Sequence, residues 1–217
     1  FYCGANAVLC VAGPVEPARI QDAATVLFDA LPSGERAEPE PAEPWSGPRT
    51  AHVDHAESQT ALNLLMRALP DADPLNPAQS VLLRVLDDGM STRLHRKVVD
   101  ELGLAYNVSA TAETLEDAVL VDFAASCAHD SARPLLAAVL RLAEELRNAP
   151  PDVEEFEMAR RRMLWDVEAS YDSPRAMTEY YGNAALLRQN RALSVRVRQV
   201  LEATRDDVHQ VARKVLR

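Results

Sequence analysis

The sequence has 217 residues, of which 47% are hydrophobic, and it carries a formal net charge of −10 at pH 7. This length allows a substantial buried core, and no stretch approaches the run of about 18 apolar residues that a membrane-spanning helix needs. The acidic balance disfavours nucleic-acid binding, which depends on a basic surface. We therefore expect a soluble globular domain with no membrane segment and no nucleic-acid partner.

The start of the chain and its cysteines say something about its context. Phe1 stands first, without a methionine, and an apolar run follows almost at once, which suggests a piece of a longer protein. Three cysteines are scattered along the chain, and Cys10 and Cys127 lie in apolar runs, where buried free thiols are the commonest explanation. The compartment of the parent protein stays open, with a reducing one, such as the cytoplasm, favoured.

The first third of the sequence predicts strands on either side of one helix. Residues 7–12 form an apolar run stopped by Gly-Pro, which is typical of a buried strand, and residues 17–31 show helical spacing. Residues 32–48 are rich in Pro and Glu and predict a connector within the domain. Residues 49–55 and 58–68 alternate well enough to be strands.

The middle of the sequence alternates between helices and strands. Residues 77–86 and 94–102 have the spacing of short helices, each closed by a glycine. Residues 106–112 and 118–126 predict two strands joined by a short polar turn. Paired strands with short connections indicate an antiparallel arrangement.

The last third of the sequence is strongly helical. Four helices are predicted, over residues 133–148, 153–171, 175–188 and 205–216, and prolines separate several of them. The fold class is therefore α+β: a mixed, mostly antiparallel sheet packed by helices, with a helical carboxy-terminal half. Residues 1–217 are expected to form a single domain.

A search for a self-contained active site finds none. His52 and His55 have HxxH spacing, but residues three apart on a strand point to opposite faces, and no third ligand follows at a useful distance. No G-x-S-x-G turn surrounds any serine, and no glycine loop has phosphate-binding spacing. We expect no metal site in this chain.

The most informative stretch is residues 86–109. It predicts a helix end, a turn at Gly89, a second helix, a turn at Gly103 and a strand that opens with Tyr106. Composition alone favours an ordinary helix-to-strand connection, with Tyr106 packed at the edge of a strand.

This stretch resembles the carboxy-terminal domain of pitrilysin/insulinase-family zinc peptidases. In that family a GG-x-SSRL turn precedes a helix that ends in REK-x-GLAY-S-V. The matching residues here are Gly89, Ser91, Arg93, Leu94, Gly103, Leu104, Ala105, Tyr106, Val108 and Ser109. Further likeness in residues 6–15, 151–162 and 204–208 extends the resemblance over essentially the whole chain.

The resemblance implies one half of a clamshell. In the family, the amino-terminal half holds zinc on an HxxEH motif, whose Glu acts as general base on the metal-bound water. The carboxy-terminal half closes the chamber, and its Arg and Tyr contribute to substrate binding and to the developing oxyanion. This sequence contains no HxxEH. Zinc is therefore expected only in a separate half that bears HxxEH.

The family's site residues transfer to this chain incompletely. Tyr106 matches the tyrosine, and Gly103, Leu104 and Ala105 complete the predicted substrate-binding turn. The arginine lies seven residues before the tyrosine in the family, and Val99 occupies that position here. Because a valine side chain cannot donate a hydrogen bond, no catalytic residue is predicted in this chain.

Three functions remain open from the sequence. The chain is the non-zinc half of a zinc endopeptidase, closing the chamber on a peptide substrate, with the HxxEH half in the same polypeptide or in a partner subunit. Alternatively, it is an inactive homologue that holds substrate or supports assembly in a heterodimer, which Val99 favours. An unrelated α+β binding domain is the third possibility.

Overall fold

One antiparallel sheet organises the part of the chain that the structure describes. The computed structural model describes residues 2–36, 38, 41–42, 47–54, 56–115, 117–189 and 192–217. The strands are β1 (Thr60–Arg67), β2 (Ala105–Thr114) and β3 (Val119–Cys127), in the order β1-β3-β2. Both neighbours of β3 run antiparallel to it. A short connection joins β2 to β3, as the sequence predicts.

Helices make up most of the remaining structure. They are α1 (Pro17–Phe28), α2 (Asn76–Leu86), a π-helix (His95–Glu101), α3 (Ala132–Asn148), α4 (Val153–Tyr171), α5 (Pro174–Leu186), α6 (Leu193–Glu202) and α7 (Arg205–Val215). The predicted α+β class and the helical carboxy-terminal half are confirmed. Among the described residues, no helix combines the length and the apolar character needed to cross a bilayer.

The core lies between one face of the sheet and the helices α2, α3 and α7. Alternating residues of β3, among them Val121 and Phe123, are buried on this face, because successive side chains of a strand point to opposite sides. Leu82 of α2 and Leu135 of α3 are almost inaccessible to solvent and belong to the same cluster. The helices therefore cover one face of the sheet, and the other face does not contribute to this core.

The opposite face of the sheet is polar at its centre. Asn63 of β1 lies opposite Ala124 of the neighbouring strand β3, two residues from Asp122. Its Nδ2 donates to both carboxylate oxygens of Asp122, at 3.1 and 3.0 Å. This charge-assisted pair joins two strands on the exposed side of the sheet.

Local sequence signals fix the starts of two long helices. Asp152 caps α4, accepting the Glu155 N–H, while the Glu155 side chain accepts the Asp152 N–H. Thr204 and Asp207 form the same reciprocal arrangement at α7. Such capping boxes satisfy backbone donors that have no partner within the helix. They place both helices where the sequence predicts them.

The two amino-terminal strand predictions are wrong in the described residues. Residues 7–12 and 49–54 are extended without pairing, and His55 and Trp45 lie outside the described residues. Val8, Leu9 and Val11 are roughly half exposed. An apolar run becomes a strand only when another strand offers hydrogen-bonding groups, and no described strand does so here. The run instead approaches α5, where Cys10 lies beside Gly182.

Other differences from the sequence prediction are smaller. Helix α6 was not predicted, because Leu193, Val195 and Val197 alternate as they would in a strand; burial of Leu193 and Val200 one heptad apart makes the segment helical. Every described strand pair is antiparallel, so the mixed character expected of the sheet is absent from these residues. Cys127 is buried as expected, whereas Cys10 is partly exposed.

Candidate functional site

The segment between α2 and β2 contains two glycine turns on either side of the π-helix. The first, which we call the Gly89 turn (residues 87–93), leads into the π-helix. The second, the Gly103 turn (residues 102–106), leads out of it into β2. A π-helix is uncommon and often occurs at functional sites. The surroundings of the two turns differ.

Side-chain contacts hold the Gly89 turn on several sides. The buried Thr92 hydroxyl donates to the Gly89 carbonyl at 2.6 Å. Asp88 forms an ion pair with Arg84 at 3.2 Å, and its carbonyl accepts a short hydrogen bond from Arg162 of α4. Gly89 itself has φ +101°, a backbone conformation that side-chain-bearing residues rarely adopt. The turn is thus tied to α2 and to α4.

Arg93, the last residue of the Gly89 turn, forms a bidentate ion pair with Glu155 of α4. Its Nε and Nη2 donate to the two carboxylate oxygens of Glu155, at 2.8 and 2.6 Å, and both side chains are largely buried. The hydrogen bonds that Arg93 donates to Glu155 raise the pKa of Arg93 above its usual range, and burial opposes this effect. The guanidinium that fills the family's SRL position is therefore committed to a structural contact.

Asp87, which the sequence analysis did not single out, connects the Gly89 turn to the sheet. Its Oδ2 accepts the N–H of Ala110 on β2 at 2.9 Å. The Asp-Asp-Gly sequence after a helix was the only available signal, and it predicts a turn without revealing which distant amide the carboxylate meets.

The Gly103 turn is held by backbone contacts. Gly103 adopts φ +58°, in the left-handed region that commonly ends helices. Its N–H donates to the Val99 carbonyl at 3.2 Å, and the Leu104 N–H donates to the Val98 carbonyl at 2.9 Å. A Cβ added at Gly103 would meet no atom within 4 Å, so the turn is open on that side.

Tyr106 stands at a bulge where β2 begins. The pairing of β2 with β3 shifts between Ala105 and Asn107, which leaves Tyr106 without an opposing residue. Bulges re-aim side chains, and the Tyr106 side chain is 94% exposed. The packing of Tyr106 against a strand edge, which composition alone favours, is therefore wrong. Of the predicted binding residues, Gly103 and Tyr106 are exposed, whereas Leu104 and Ala105 pack partly against the core.

Val99 lies on the π-helix and is half-buried, packed against the hydrophobic core. Polar side chains surround it in sequence: His95 Nδ1 lies 3.6 Å from Asp100, and Arg96 Nε lies 3.7 Å from Glu101. Arg96 is mostly exposed, whereas Arg93 is largely buried in its ion pair with Glu155. The structure therefore places an aliphatic side chain, turned partly inward, at the family's arginine position.

The described residues do not fit a bound zinc ion. No cluster of three or more His, Cys, Asp or Glu side chains that could hold a metal occurs among them. His52, the described half of the HxxH pair, is exposed and bonds through Nε2 to Asp54 at 2.9 Å. Tetrahedral zinc sites need three or four convergent ligands, which these residues do not supply.

Comparison with known proteins decides the family. The profile of the family described as the peptidase M16 inactive domain matches residues 1–163. The chain belongs to the peptidase M16 inactive-domain family. It is 31% identical over 160 residues to an uncharacterized zinc protease of Rickettsia felis, covering 73% of this chain and 38% of that protein. This M16 domain spans less than half the length of the two curated relatives it matches.

Solved structures share the fold of this M16 domain. A protease from Helicobacter pylori superposes with a TM-score of 0.82 at 20% identity, covering 94% of this chain and 50% of that one. The peptidase M16 inactive domain from Pseudomonas fluorescens gives 0.78 at 22% identity, covering 93% and 49%. The family resemblance inferred from the Gly103–Tyr106 motif is confirmed.

Proposed function

We propose that this M16 domain is the non-zinc half of a zinc-dependent endopeptidase. It closes the chamber over a peptide substrate, and the zinc-bearing half lies in the same polypeptide or in a partner subunit. The observation that carries the proposal is Tyr106: an exposed phenol, at a bulge, on a turn whose sequence matches the family motif. Its hydroxyl is free to meet a substrate carbonyl, and the absence of HxxEH from the sequence leaves the metal to the other half.

The Gly103 turn suits this role because it fixes the backbone on which Tyr106 stands. Leu104 and Ala105 anchor the start of β2 in the core, and Tyr106 projects from that anchored segment. A hydrogen-bond donor is useful in catalysis when it is held before the reaction begins, since no reorganisation is then required. In this proposal the domain supplies binding and orientation, and no proton transfer is assigned to it.

The proposal is tested with the full-length protein by measuring cleavage of a reporter peptide. We expect Tyr106→Phe to lower kcat/KM by about 10²–10³, the usual cost of losing one oxyanion donor. Tyr171→Phe, at a half-exposed tyrosine on α4, is the matched control and is expected to leave kcat/KM unchanged. Equal rates for both variants would refute a role for the Tyr106 hydroxyl in the reaction.

A second function is favoured by Val99. An aliphatic residue at the family's arginine position leaves the domain without that guanidinium, as expected of an inactive homologue that holds substrate or supports assembly in a heterodimer. In that case Tyr106→Ala should raise the KM of the partner's reaction while kcat stays the same. A lower kcat at unchanged KM would instead support the endopeptidase half.

A further inference from the structure

The π-helix contains a buried ring nitrogen that has no hydrogen-bond partner. The His95 side chain is largely buried, and no described group forms a hydrogen bond with its Nδ1. Oδ2 of Asp100 lies 3.6 Å from that nitrogen, which is too far for a hydrogen bond. Because an unpaired buried polar atom costs free energy, a proton on Nδ1 that draws the Asp100 carboxylate closer would stabilise this part of the chain.

The separation of His95 and Asp100 along the chain matches the spacing of the π-helix. The Leu102 N–H donates to the Lys97 carbonyl, also five residues earlier, at 3.2 Å, whereas an α-helix closes its hydrogen bonds over four residues. In an α-helix, residues five apart lie about 140° apart around the axis and do not face each other. Attraction between His95 and Asp100 therefore favours the π-helical arrangement of the backbone over the α-helical one.

The other charged side chains of the π-helix interact with one another. Lys97 Nζ lies 2.8 Å and Arg96 Nε lies 3.7 Å from the Glu101 carboxylate. Among the described carboxylates, Asp100 is the one within ion-pair distance of His95. An added charge on the imidazole would therefore act first on Asp100.

The elements packed against the π-helix are β2 and α3. Residues 105–112 of β2 include no Asp, Glu, Lys or Arg, and their one titratable side chain is the exposed Tyr106. From α3, Glu145 lines a cavity together with Arg96. In the described part of the chain, neither element adds an ion pair to His95.

The π-helix ends directly at the Gly103 turn. The N–H groups of Gly103 and Leu104 donate to the carbonyls of Val99 and Val98 in the last part of the π-helix. Conversion of the π-helix to an α-helix would rotate the following residues by about 100°, the angle of one α-helical residue. The position of the Tyr106 side chain therefore depends on the π-helical arrangement.

We infer that protonation of His95 stabilises the π-helix through Asp100, and that the Gly103 turn is consequently held more firmly in mild acid than in alkali. A histidine changes its charge between about pH 5 and 8. The stabilisation is complete while the ring is protonated and the carboxylate ionised, and it is lost as the pH rises and the ring gives up its proton. The inference rests on the proposed function only in so far as Tyr106 meets a substrate.

The test is hydrogen–deuterium exchange of the full-length protein, read by mass spectrometry of the peptide covering residues 95–106. We expect amide protection, corrected for the intrinsic effect of pH on exchange, to fall about threefold from about pH 5.5 to pH 8, as suits a partly exposed ion pair. Asp100→Asn and His95→Asn should each abolish this difference. His209→Asn, at a histidine of α7 that bonds to the Arg147 carbonyl, is the control and should retain it.

Equal protection of residues 95–106 at both pH values would overturn the inference, as would a difference that survives in Asp100→Asn. It also fails if residues 133–148 of α3 lose protection to the same extent, because such a change reports unfolding of the whole domain. Should His95→Asn not fold, Asp100→Asn replaces it, since the Asp100 side chain is exposed.

The same measurements separate this inference from the proposed function. If protection follows the expected pattern while Tyr106→Phe leaves cleavage unchanged, the proposed function fails and the role of His95 stands. If Tyr106→Phe slows cleavage and protection does not depend on pH, the role of His95 fails and the proposed function stands.

Discussion

The Gly89 turn and the Gly103 turn begin from similar sequence signals and end in different environments. Both place a glycine at positive φ beside the π-helix. The Gly89 turn is enclosed by ion pairs, through Asp88 and Arg93, that bind it to α2 and α4. The Gly103 turn is held by backbone hydrogen bonds and by the partly buried Leu104 and Ala105, and it leaves Tyr106 in solvent. The difference teaches that one end of a motif can stabilise the fold while the other remains free to bind.

The largest effect is expected where the Gly89 turn meets α4. Arg93→Ala should lower the free energy of unfolding by about 2 kcal/mol. The change removes two charge-assisted hydrogen bonds and leaves the Glu155 carboxylate largely buried without them. Arg96→Ala is the control, because its side chain is mostly exposed and a surface ion pair contributes about 0–1 kcal/mol. Urea denaturation measures the free energy of unfolding of both variants. Equal midpoints would show that the ion pair of Arg93 stabilises the fold no more than the surface ion pair of Arg96 does.

An intermediate effect is expected from the two glycines themselves. Gly89→Ala should cost about 1.5 kcal/mol, since φ +101° lies outside the left-handed region that other residues tolerate. Gly103→Ala should cost about 1 kcal/mol, and Gly103→Asn less, because Asn enters the left-handed region more readily. Steric clash does not contribute to the difference in stability, since an added Cβ meets nothing closer than 3.5 Å at either site. Thermal melting ranks the three variants, and a reversed order would contradict the backbone explanation.

The smallest effect on stability is expected at Tyr106, whose side chain is 94% exposed. Tyr106→Ala should change the free energy of unfolding by less than about 0.5 kcal/mol, as surface substitutions usually do. Val108, two residues along the same strand, is buried. Val108→Ala should therefore cost about 2 kcal/mol through the cavity it leaves. If Tyr106→Ala destabilises as much as Val108→Ala, the Gly103 turn is part of the core and Tyr106 is a structural residue.

Much of the fold followed from local patterns in the sequence. Helices α3, α4 and α7 were predicted close to their observed bounds, because long apolar periodicity and capping residues act within a few residues of each other. The hairpin of β2 and β3 was predicted for the same reason: its strands alternate and its connection is short. Helix α6 was missed, and the strand predicted over residues 7–12 does not form, because both outcomes depend on distant partners.

The candidate site divides in the same way. The motif identified Tyr106 and Gly103, and the replacement of the family's arginine by Val99 is visible in the sequence alone. The bulge that exposes Tyr106 depends on the register of β2 against β3, which is set by pairing across the sheet. The sequence likewise could not show that Asp87 reaches the Ala110 amide.

By itself, the sequence determined the family, the α+β class and the residues of the Gly103 turn, because short motifs and periodicity are local properties of the chain. Only the tertiary structure decided which of the motif's residues are bound in contacts within the domain and which are exposed to solvent. Arg93 is committed because α4 brings Glu155 to it, 62 positions along the chain. Tyr106 is exposed because pairing with β3 forces a bulge at its position. Contacts between distant segments, which local patterns do not encode, separate the residues that hold this domain together from those available to a substrate.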